Sequence, residues 1–396
     1  MSKEKLFVSG DDAVALGARL ARPNVISAYP ITPQTIVVER LSDYVEDGSL
    51  DAEFMHVESE HSAMSAAMGV SSVGARAFTA TSSQGLLHMS EAMHYASGAR
   101  FPIVMMNANR ALAVPWSIYG DQSDSMSQLN SGWIQVYVED AQEALDMVIQ
   151  AYKIAENPKV LTPFMVNLDG FILTHTYELI ELPDQNDVDR FLPKYETVNK
   201  MDLDNPNSLC FSTTPADNLE FKYQQHKAMM DSKEVINTVD KEFGDQFGRY
   251  YGGLVKEYKC DDADVVLITT GSITGTTRVV VDKMRSEGEK VGLLKLRYLR
   301  PFPDKEIREL AKKVKAIGTI DKNISYGYEG TIFTNVNSAL CQMDKLPLSI
   351  NFIGGMGGRD ISKENIEEMF KNLLDGINGK EQKRVQFIGM GCEIDE

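Results

Sequence analysis

The sequence of 396 residues has no uninterrupted apolar run of the roughly 18 residues that a membrane-spanning helix requires. Its first residues, Met1 to Phe7, are charged and lead directly into a periodic segment, a pattern unlike that of a signal peptide. These two absences predict a cytoplasmic protein without a membrane span.

Cysteine is scarce, and basic residues are outnumbered. The four cysteines, Cys210, Cys260, Cys341 and Cys392, stand far apart and have no CxxC spacing suited to zinc or an iron-sulfur cluster. The 40 Lys and Arg residues against 57 Asp and Glu residues give a formal net charge of −17, which repels phosphate backbones. We therefore predict no metal site and no nucleic-acid partner for this chain, and we expect an acidic electron carrier to dock elsewhere.

Two stretches of the chain alternate short apolar runs with longer helical patterns. The first extends from Gly10 to Leu173 and the second begins after Asp264, with a connection rich in Pro, Asp and Asn at 182–218 and a helical segment at 222–247 between them. This alternation is typical of parallel sheets covered by helices. It predicts an α/β fold, a doubly wound unit followed by a smaller one, with strands at Val25–Ala28, Ala77–Ala80, Ile103–Asn107, Phe164–Asn167, Val265–Thr269, Val291–Leu296, Ala316–Ile320 and Ile350–Ile353.

Two polar segments in the first half are candidates for a site. Thr32 lies in Tyr29-Pro30-Ile31-Thr32-Pro33, just after a predicted strand, where open α/β sheets bind ligands. The alternative is that Thr32 caps the following helix. Glu58 and Glu60 open a helix of small residues, where they could simply favour the helix dipole. Alternatively, one of these carboxylates shares a proton with a heterocycle nitrogen.

Two further segments follow the next predicted strands. Ser83 lies in the hydroxyl-rich turn 79–86, whose backbone could cradle a polar ligand or only cap a helix. Arg110 could clamp a carboxylate with two hydrogen bonds, or form a salt bridge to Asp121 or Asp124. The glycine-rich run 354–358 lacks the G-x-G-x-x-G spacing of dinucleotide sites and predicts a flexible turn.

Taken together, in this order and spacing, these segments resemble the α subunit of the 2-oxoacid:ferredoxin oxidoreductases, especially the four-subunit pyruvate and 2-oxoisovalerate enzymes. The resemblance covers nearly the whole chain. It rests on the motifs Tyr29-Pro30-Ile31-Thr32-Pro33, Val57-Glu58-Ser59-Glu60-His61-Ser62-Ala63, Phe78-Thr79-Ala80-Thr81, Ser83-Gln84-Gly85, Asn109-Arg110-Ala111-Leu112, Ser131-Gly132-Trp133-Ile134-Gln135, Asp169-Gly170-Phe171, Thr174-His175, Arg300-Pro301-Phe302-Pro303 and Gly357-Gly358-Arg359-Asp360.

The resemblance implies three parts: a pyrimidine-binding thiamine-diphosphate domain at 1–181, an extended connection and helix at 182–255, and a transketolase C-terminal-like domain at 256–396. It implies that Glu60 bonds the aminopyrimidine ring and activates the cofactor. Thr32 and Arg110 are the residues implied to hold the carboxylate and carbonyl of the substrate. Ser83 is expected to contact the cofactor, with Thr32, and Trp116 and Ile118 are expected to shape the substrate pocket.

The resemblance also implies that the chain is active only in a complex. A diphosphate-binding GDG motif is absent from the sequence. A β subunit is therefore expected to bring the diphosphate site, Mg²⁺ and a [4Fe-4S] cluster, while the γ and ferredoxin-like δ subunits bring a γ domain and further clusters. Coenzyme A is expected to accept the acyl group, and ferredoxin the electrons.

Pyruvate is the expected substrate because Thr32 keeps the family pattern. Trp116 and Gln122 depart from it, which leaves branched and aromatic 2-oxo acids open. Oxalate, for which a second basic residue in place of Thr32 would be expected, and a transketolase-like thiamine enzyme are further alternatives.

Overall fold

The computed structural model describes residues 4–206, 208–209 and 211–391, so that Cys210 and Cys392 lie outside it. Its strands are β1 (Glu4–Ser9), β2 (Val25–Ala28), β3 (Glu53–His56), β4 (Ala77–Thr81), β5 (Val104–Asn109), β6 (Ile134–Tyr137), β7 (Phe164–Asp169), β8 (Tyr177–Leu182), β9 (Val255–Tyr258), β10 (Val265–Thr269), β11 (Val291–Leu296), β12 (Tyr298–Arg300), β13 (Ala316–Asp321), β14 (Leu348–Ile353) and β15 (Val385–Phe387).

The helices are α1 (Gly10–Ala21), α2 (Thr35–Glu46), α3 (Glu60–Ser72), α4 (Gln84–His88), α5 (Ser90–Gly98), α6 (Ser123–Met126), α7 (Ala141–Ala155), α8 (Ile172–His175), α9 (Gln185–Phe191), α10 (Asn218–Phe247), α11 (Ile273–Ser286), α12 (Asp304–Ala311), α13 (Thr331–Leu340) and α14 (Lys363–Ile377), with a 3₁₀ turn at Met356–Gly358. No helix within the described ranges is long and apolar enough to cross a membrane.

The larger sheet confirms the α/β prediction. Its strand order is β12-β6-β7-β5-β4-β2-β3, and all pairings are parallel except that of β12 with β6. Every residue of β4, β5, β6 and β7 is buried, because α1, α7 and α10 cover one face while α3 and α5 cover the other. Burial on both faces explains why these strands are continuous apolar runs in the sequence.

The larger sheet changes direction between β2 and β4. From β2 the chain adds β3 on one side, then returns to add β4 and β5 on the other. In open α/β sheets the carboxyl ends of the strands on either side of such a switch point form a crevice. The segments that follow β2, β4 and β5 are therefore brought to one edge of the sheet.

The smaller sheet has the order β15-β14-β13-β10-β11-β9 and is parallel except for β9. One strand of the C-terminal third does not belong to it: β12 joins the larger sheet through β6. The stretch 182–218, expected as an extended connection, contains α9, and β8 ending at Leu182 pairs with β1. The domain bounds 1–181, 182–255 and 256–396 stay a prediction.

A buried ionic cluster joins the two units. Glu143 on α7 accepts hydrogen bonds from Lys295 at 2.5 Å and from the Arg297 Nε at 2.9 Å, and all three residues are at most 3% exposed. Burial alone raises the pKa of Glu143, but the two cations lower it to about 2. The carboxylate therefore stays ionised at all physiological pH values.

We predict that Glu143→Gln destabilises the assembled protein by about 3–5 kcal/mol, because breaking a buried ion pair leaves uncompensated charge in the core. The midpoint of thermal unfolding of the purified complex measures this. The control is Asp245→Asn, which breaks the exposed pair with Lys241 and should leave the midpoint unchanged. Equal midpoints for the two variants would contradict the prediction.

Candidate active site

Four of the residues singled out in the sequence lie after neighbouring strands of the larger sheet. Thr32 follows β2, Glu60 begins α3 after β3, Ser83 follows β4 and Arg110 follows β5. Because these strands are parallel and adjacent, all four residues occur at the same edge, around the switch point.

Glu58 and Glu60 have different surroundings. Ser59 caps α3 by accepting a hydrogen bond from the Ser62 N–H, and the exposed Glu58 carboxylate accepts one from the Ser62 hydroxyl at 2.5 Å. Glu60 is only 7% exposed and lies against the turn that begins α4. A Cβ added at Gly85 would be 2.6 Å from the Glu60 Oε1, so a side chain there would collide with the carboxylate.

His88 is a neighbour of Glu60 that the sequence did not reveal. Its Nδ1 lies 3.2 Å from the Glu60 Oε2. The side chain of His61, the next residue on α3, is 45% exposed and lies 3.9 Å from the Glu91 carboxylate. Sequence spacing carried no signal for His88, because it contacts Glu60 only through the packing of α4 on α3.

The turn at Ser83 is buried and tightly held. Ser83 has a φ of +53°, a left-handed conformation that is uncommon for a residue other than glycine. Its N–H donates to Asp124 at 3.0 Å, and its hydroxyl donates to the Ala111 carbonyl at 2.7 Å. Its side chain makes no capping hydrogen bond to α4, so the simple capping alternative is wrong for this residue.

Arg110 is anchored on the segment that follows β2. Its Nη1 donates to the Thr32 carbonyl at 2.7 Å, and its backbone N–H donates to Asp124 at 3.1 Å. Among the described ion pairs none joins the guanidinium to Asp121 or Asp124, so the salt-bridge alternative is wrong. Burial lowers the pKa of Arg110, but a guanidinium keeps its proton in proteins.

The Thr32 side chain is exposed at this edge, and helix α2 begins three residues later with Gln34 at its N-cap. Thr32 therefore does not cap the helix, because the chain continues past it before turning helical. What Thr32 contributes within this chain is the carbonyl that fixes the Arg110 side chain.

Buried polar atoms without a partner are concentrated at the same edge. They include the hydroxyls of Ser27, Thr81 and Ser82 and the Nε of Arg110. Such atoms are rare in folded proteins because leaving them unpaired costs free energy. The Thr81 hydroxyl lies next to Glu60, since a Cβ added at Gly85 would be 2.6 Å from both the Thr81 Oγ1 and the Glu60 Oε1, as expected of a site that receives a polar ligand.

Trp116 and Ile118 are exposed in this chain, at 74% and 48%. The adjoining loop 111–115 instead lines an open cleft of about 790 Å³, whose opposite wall is the loop 323–326 of the smaller unit. The described residues of this chain do not enclose Trp116 and Ile118 in a pocket.

The glycine-rich run 354–358 packs against the larger unit. The Gly357 N–H donates to the Asp121 carboxylate at 3.1 Å, and a Cβ added at Gly358 would lie 2.3 Å from the Tyr119 Cβ. The expectation of a flexible turn is therefore corrected: the glycines permit close contact between the two units.

The geometry defines a class of protein. A carboxylate beside a glycine turn and an anchored arginine meet at the switch point of a parallel α/β sheet, an arrangement that can hold a heterocycle and an anionic substrate together.

Family models identify the chain further. Residues 16–241 match the model described as pyruvate flavodoxin/ferredoxin oxidoreductase, thiamine-diphosphate-binding, and residues 263–366 match pyruvate:ferredoxin oxidoreductase core domain II. The chain belongs to the 2-oxoacid:ferredoxin oxidoreductases and is an α-type subunit of a multi-subunit oxidoreductase, with a thiamine-diphosphate-binding domain.

Two curated relatives illustrate the range of the family. Pyruvate synthase subunit PorA of Methanothermobacter thermautotrophicus is 48% identical over 364 residues, which are 92% of this chain and 94% of the relative. Ketoisovalerate oxidoreductase subunit VorA of Pyrococcus horikoshii is 44% identical over 385 residues, which are 97% of both chains.

Two solved structures show the same fold at low sequence identity. One is a 2-oxoglutarate:ferredoxin oxidoreductase from Magnetococcus marinus with 2-oxoglutarate, coenzyme A and succinyl-CoA bound, with a TM-score of 0.73, 20% identity and coverage of 94% of this chain and 66% of that chain. The other is a split-gene transketolase in an inactive β4 tetramer, with a TM-score of 0.54, 12% identity and coverage of 94% and 99%.

The residues at this edge fit the aminopyrimidine half of thiamine diphosphate. A buried carboxylate such as Glu60 can bond a ring nitrogen, and the unpaired Thr81 and Ser82 hydroxyls are free to make further polar contacts. Gly85 leaves the space beside the carboxylate free.

We predict that Gly85→Ala weakens thiamine diphosphate binding at least about fivefold, because the new Cβ displaces the Glu60 carboxylate and overpacking costs about 1–3 kcal/mol. Titration calorimetry of the cofactor into the purified complex measures the affinity. Gly69→Ala is the control: Gly69 is on the same helix as Glu60, and a Cβ there meets nothing within 4 Å. Unchanged affinity in Gly85→Ala would show that the turn does not constrain the site.

Proposed function

We propose that this chain is the α subunit of a pyruvate synthase-type oxidoreductase. The complex oxidatively decarboxylates pyruvate with coenzyme A to acetyl-CoA and CO₂, and the two electrons pass one at a time to ferredoxin. The observation that carries the proposal is the buried carboxylate of Glu60 against the Gly85 turn, with Arg110 anchored at the same switch point.

Glu60 is the catalytic carboxylate in this proposal. With the cofactor bound, the Glu60 carboxylate would share a proton with a ring nitrogen of the aminopyrimidine, and its near-complete burial would strengthen that hydrogen bond because water is excluded. Ser83 holds the adjacent turn in place. Thiamine diphosphate, when bound, supplies the carbon nucleophile and the electron sink for decarboxylation.

Arg110 binds the anionic substrate. One of its guanidinium nitrogens is fixed by the Thr32 carbonyl, and the rest can face a carboxylate or the 2-oxo group. Because the side chain is already anchored, it loses less conformational entropy when the substrate binds. In this proposal the exposed Thr32 side chain contacts the substrate carbonyl or the cofactor.

Partner subunits complete the site. We assign the diphosphate site, Mg²⁺ and a [4Fe-4S] cluster to a β subunit, and further clusters and a γ domain to the smaller subunits, of which δ is ferredoxin-like. The exposed Val114, Trp116 and Tyr326, at 85%, 74% and 88%, support this assignment, because large exposed apolar side chains near a site often mark an interface. In this assignment a partner subunit covers Trp116 and Ile118, and the two side chains then line the substrate pocket.

Pyruvate is proposed ahead of branched, aromatic or oxalate substrates because Thr32 fits the pyruvate pattern, and the PorA relative is named for pyruvate synthase. The VorA relative at 44% supports 2-oxoisovalerate as the second candidate. We further propose a cytoplasmic location for the complex.

We predict that Glu60→Gln lowers turnover of the complex at least about a hundredfold, since loss of a general acid-base group typically costs that much. The complex should still assemble. Glu58→Gln, two residues earlier, is the matched control: it makes the same change at an exposed carboxylate and should retain activity. Equal activity of the two variants would remove Glu60 from the mechanism.

We predict that the native complex, purified without oxygen, prefers pyruvate to 2-oxoisovalerate at least about tenfold in kcat/KM, because added methyl and methylene groups are worth roughly 1–3 kcal/mol each in a fitted pocket. Turnover on a panel of 2-oxo acids with coenzyme A and ferredoxin or a viologen dye measures this.

A preference for a branched 2-oxo acid in that panel would contradict the prediction. It would indicate that Trp116, which departs from the family pattern, reshapes the substrate pocket. Absence of turnover, together with absence of iron and labile sulfide, would instead favour a transketolase-like enzyme.

A further inference from the structure

Asp124 lies at the centre of a buried hydrogen-bond network between two parts of the candidate site. It is the second residue of the short helix α6 and is 0% exposed. Its Oδ2 accepts from the backbone N–H of Ser83 at 3.0 Å and of Arg110 at 3.1 Å. Its Oδ1 accepts from the Asn109 side chain at 2.8 Å and the Ser125 N–H at 2.7 Å.

Every hydrogen-bond partner of this carboxylate among the described residues is a donor. The Asn107 side chain donates as well, at 3.3 Å. Both asparagines turn their amide N–H groups toward Asp124, which leaves the Asn107 and Asn109 Oδ1 atoms buried without a partner. Two amide oxygens thus stay without a partner while both amide N–H groups donate to one carboxylate. This arrangement suits the ionised form of Asp124, which can only accept hydrogen bonds.

We propose that Asp124 is a positioning residue that holds the cofactor turn at Ser83 and the substrate-binding Arg110 in one fixed arrangement. This inference rests on the proposed function and deepens it. The Ser83 N–H and the Arg110 N–H meet at a single oxygen atom of Asp124, so a shift of one loop is transmitted to the other. The Ser83 hydroxyl, bonded to the Ala111 carbonyl, is a second link between the same two loops.

The left-handed conformation of Ser83 makes this anchor necessary. A residue other than glycine at positive φ carries strain of the order of 1–3 kcal/mol and keeps that conformation only where its surroundings hold it. The hydrogen bond from the Ser83 N–H to Asp124 is one of the contacts that hold it.

The same short segment is held from the other side by the smaller unit. The Gln122 N–H donates to the Lys322 carbonyl at 2.9 Å, and the Asp121 carboxylate accepts from the Gly357 N–H at 3.1 Å. Asp124 therefore projects toward the site from a segment that two units fix in place.

The test is Asp124→Asn in the assembled complex. Whichever oxygen becomes the amide NH₂, at least two donors then face a donor. We expect the KM for the 2-oxo acid to rise at least about tenfold and thiamine diphosphate affinity, measured by calorimetry without substrate, to fall by a similar factor, as for lost hydrogen bonds to a charged group. The kcat at saturation should change less than about threefold, because Glu60 is not bonded to Asp124.

The pH profile separates positioning from a structural role. Burial raises the pKa of Asp124 to about 6, and Arg110 and Tyr137 are the charged and titratable groups that interact with it electrostatically. Protonation removes an acceptor, so the KM of the native complex should rise as the pH falls through about 6. In Asp124→Asn the KM should be high and independent of pH in this range.

Asp140→Asn is the matched control. Burial also raises the pKa of Asp140 to about 6, but this carboxylate caps α7 through the Glu143 N–H and contacts neither Ser83 nor Arg110. Asparagine is an equally good N-cap, so the helix should persist. This variant should keep the native KM, cofactor affinity and pH profile.

Two results overturn the inference. One is an Asp124→Asn complex with native KM and cofactor affinity; the other is one that loses only thermal stability or yield while its active fraction keeps native constants. Neither result touches the proposed function, which fails instead if the native complex turns over no 2-oxo acid. The calorimetric comparison of cofactor affinity is made without substrate, so it holds whichever 2-oxo acid the complex acts on.

Discussion

The carboxylate of Asp169 fixes the two sheets against one another. It stands at the carboxyl end of β7, and its Oδ2 accepts from the Ser272 N–H at 2.7 Å and from the Lys322 Nζ at 2.9 Å. Burial alone raises the pKa of Asp169, but Lys322 and Ser272 lower it below its ordinary value, so it is ionised. Gly271, with a φ of +71°, allows the approach: a Cβ there would lie 2.6 Å from the Asp169 carboxylate.

This contact fills the place where the smaller sheet would bind a ligand. Its switch point lies between β10 and β13, and Ser272 and Lys322 follow these two strands. Because a side chain of the larger unit takes the anion position at the start of α11, the smaller unit acts as a scaffold there. The edge of the larger sheet is then the one at which we expect ligands to bind. The segment 120–126 between the units is held from both sides.

The sequence allowed the α/β fold and the residues at the carboxyl ends of β2, β4 and β5 to be predicted, because buried parallel strands are apolar runs and their ends are polar. It could not place β12 in the larger sheet, since three residues carry no periodicity and the pairing depends on tertiary packing. The role of Asp124 was also missed. A carboxylate that bonds backbone N–H groups of distant loops leaves no pattern in spacing, and the sequence offered only a salt bridge to Arg110.

We expect substrate choice to depend on more than this chain. Relatives named for pyruvate and for ketoisovalerate are 48% and 44% identical to it, a difference too small to separate the two. The residues expected to shape the pocket, Trp116 and Ile118, are exposed here, and an exposed side chain cannot discriminate between a methyl and an isopropyl group, because water fills whatever space the substrate leaves. Discrimination by shape requires a closed, dry wall. If the partner subunit covers Trp116, specificity is a property of the interface, and the same chain paired with a different partner surface would favour a different 2-oxo acid.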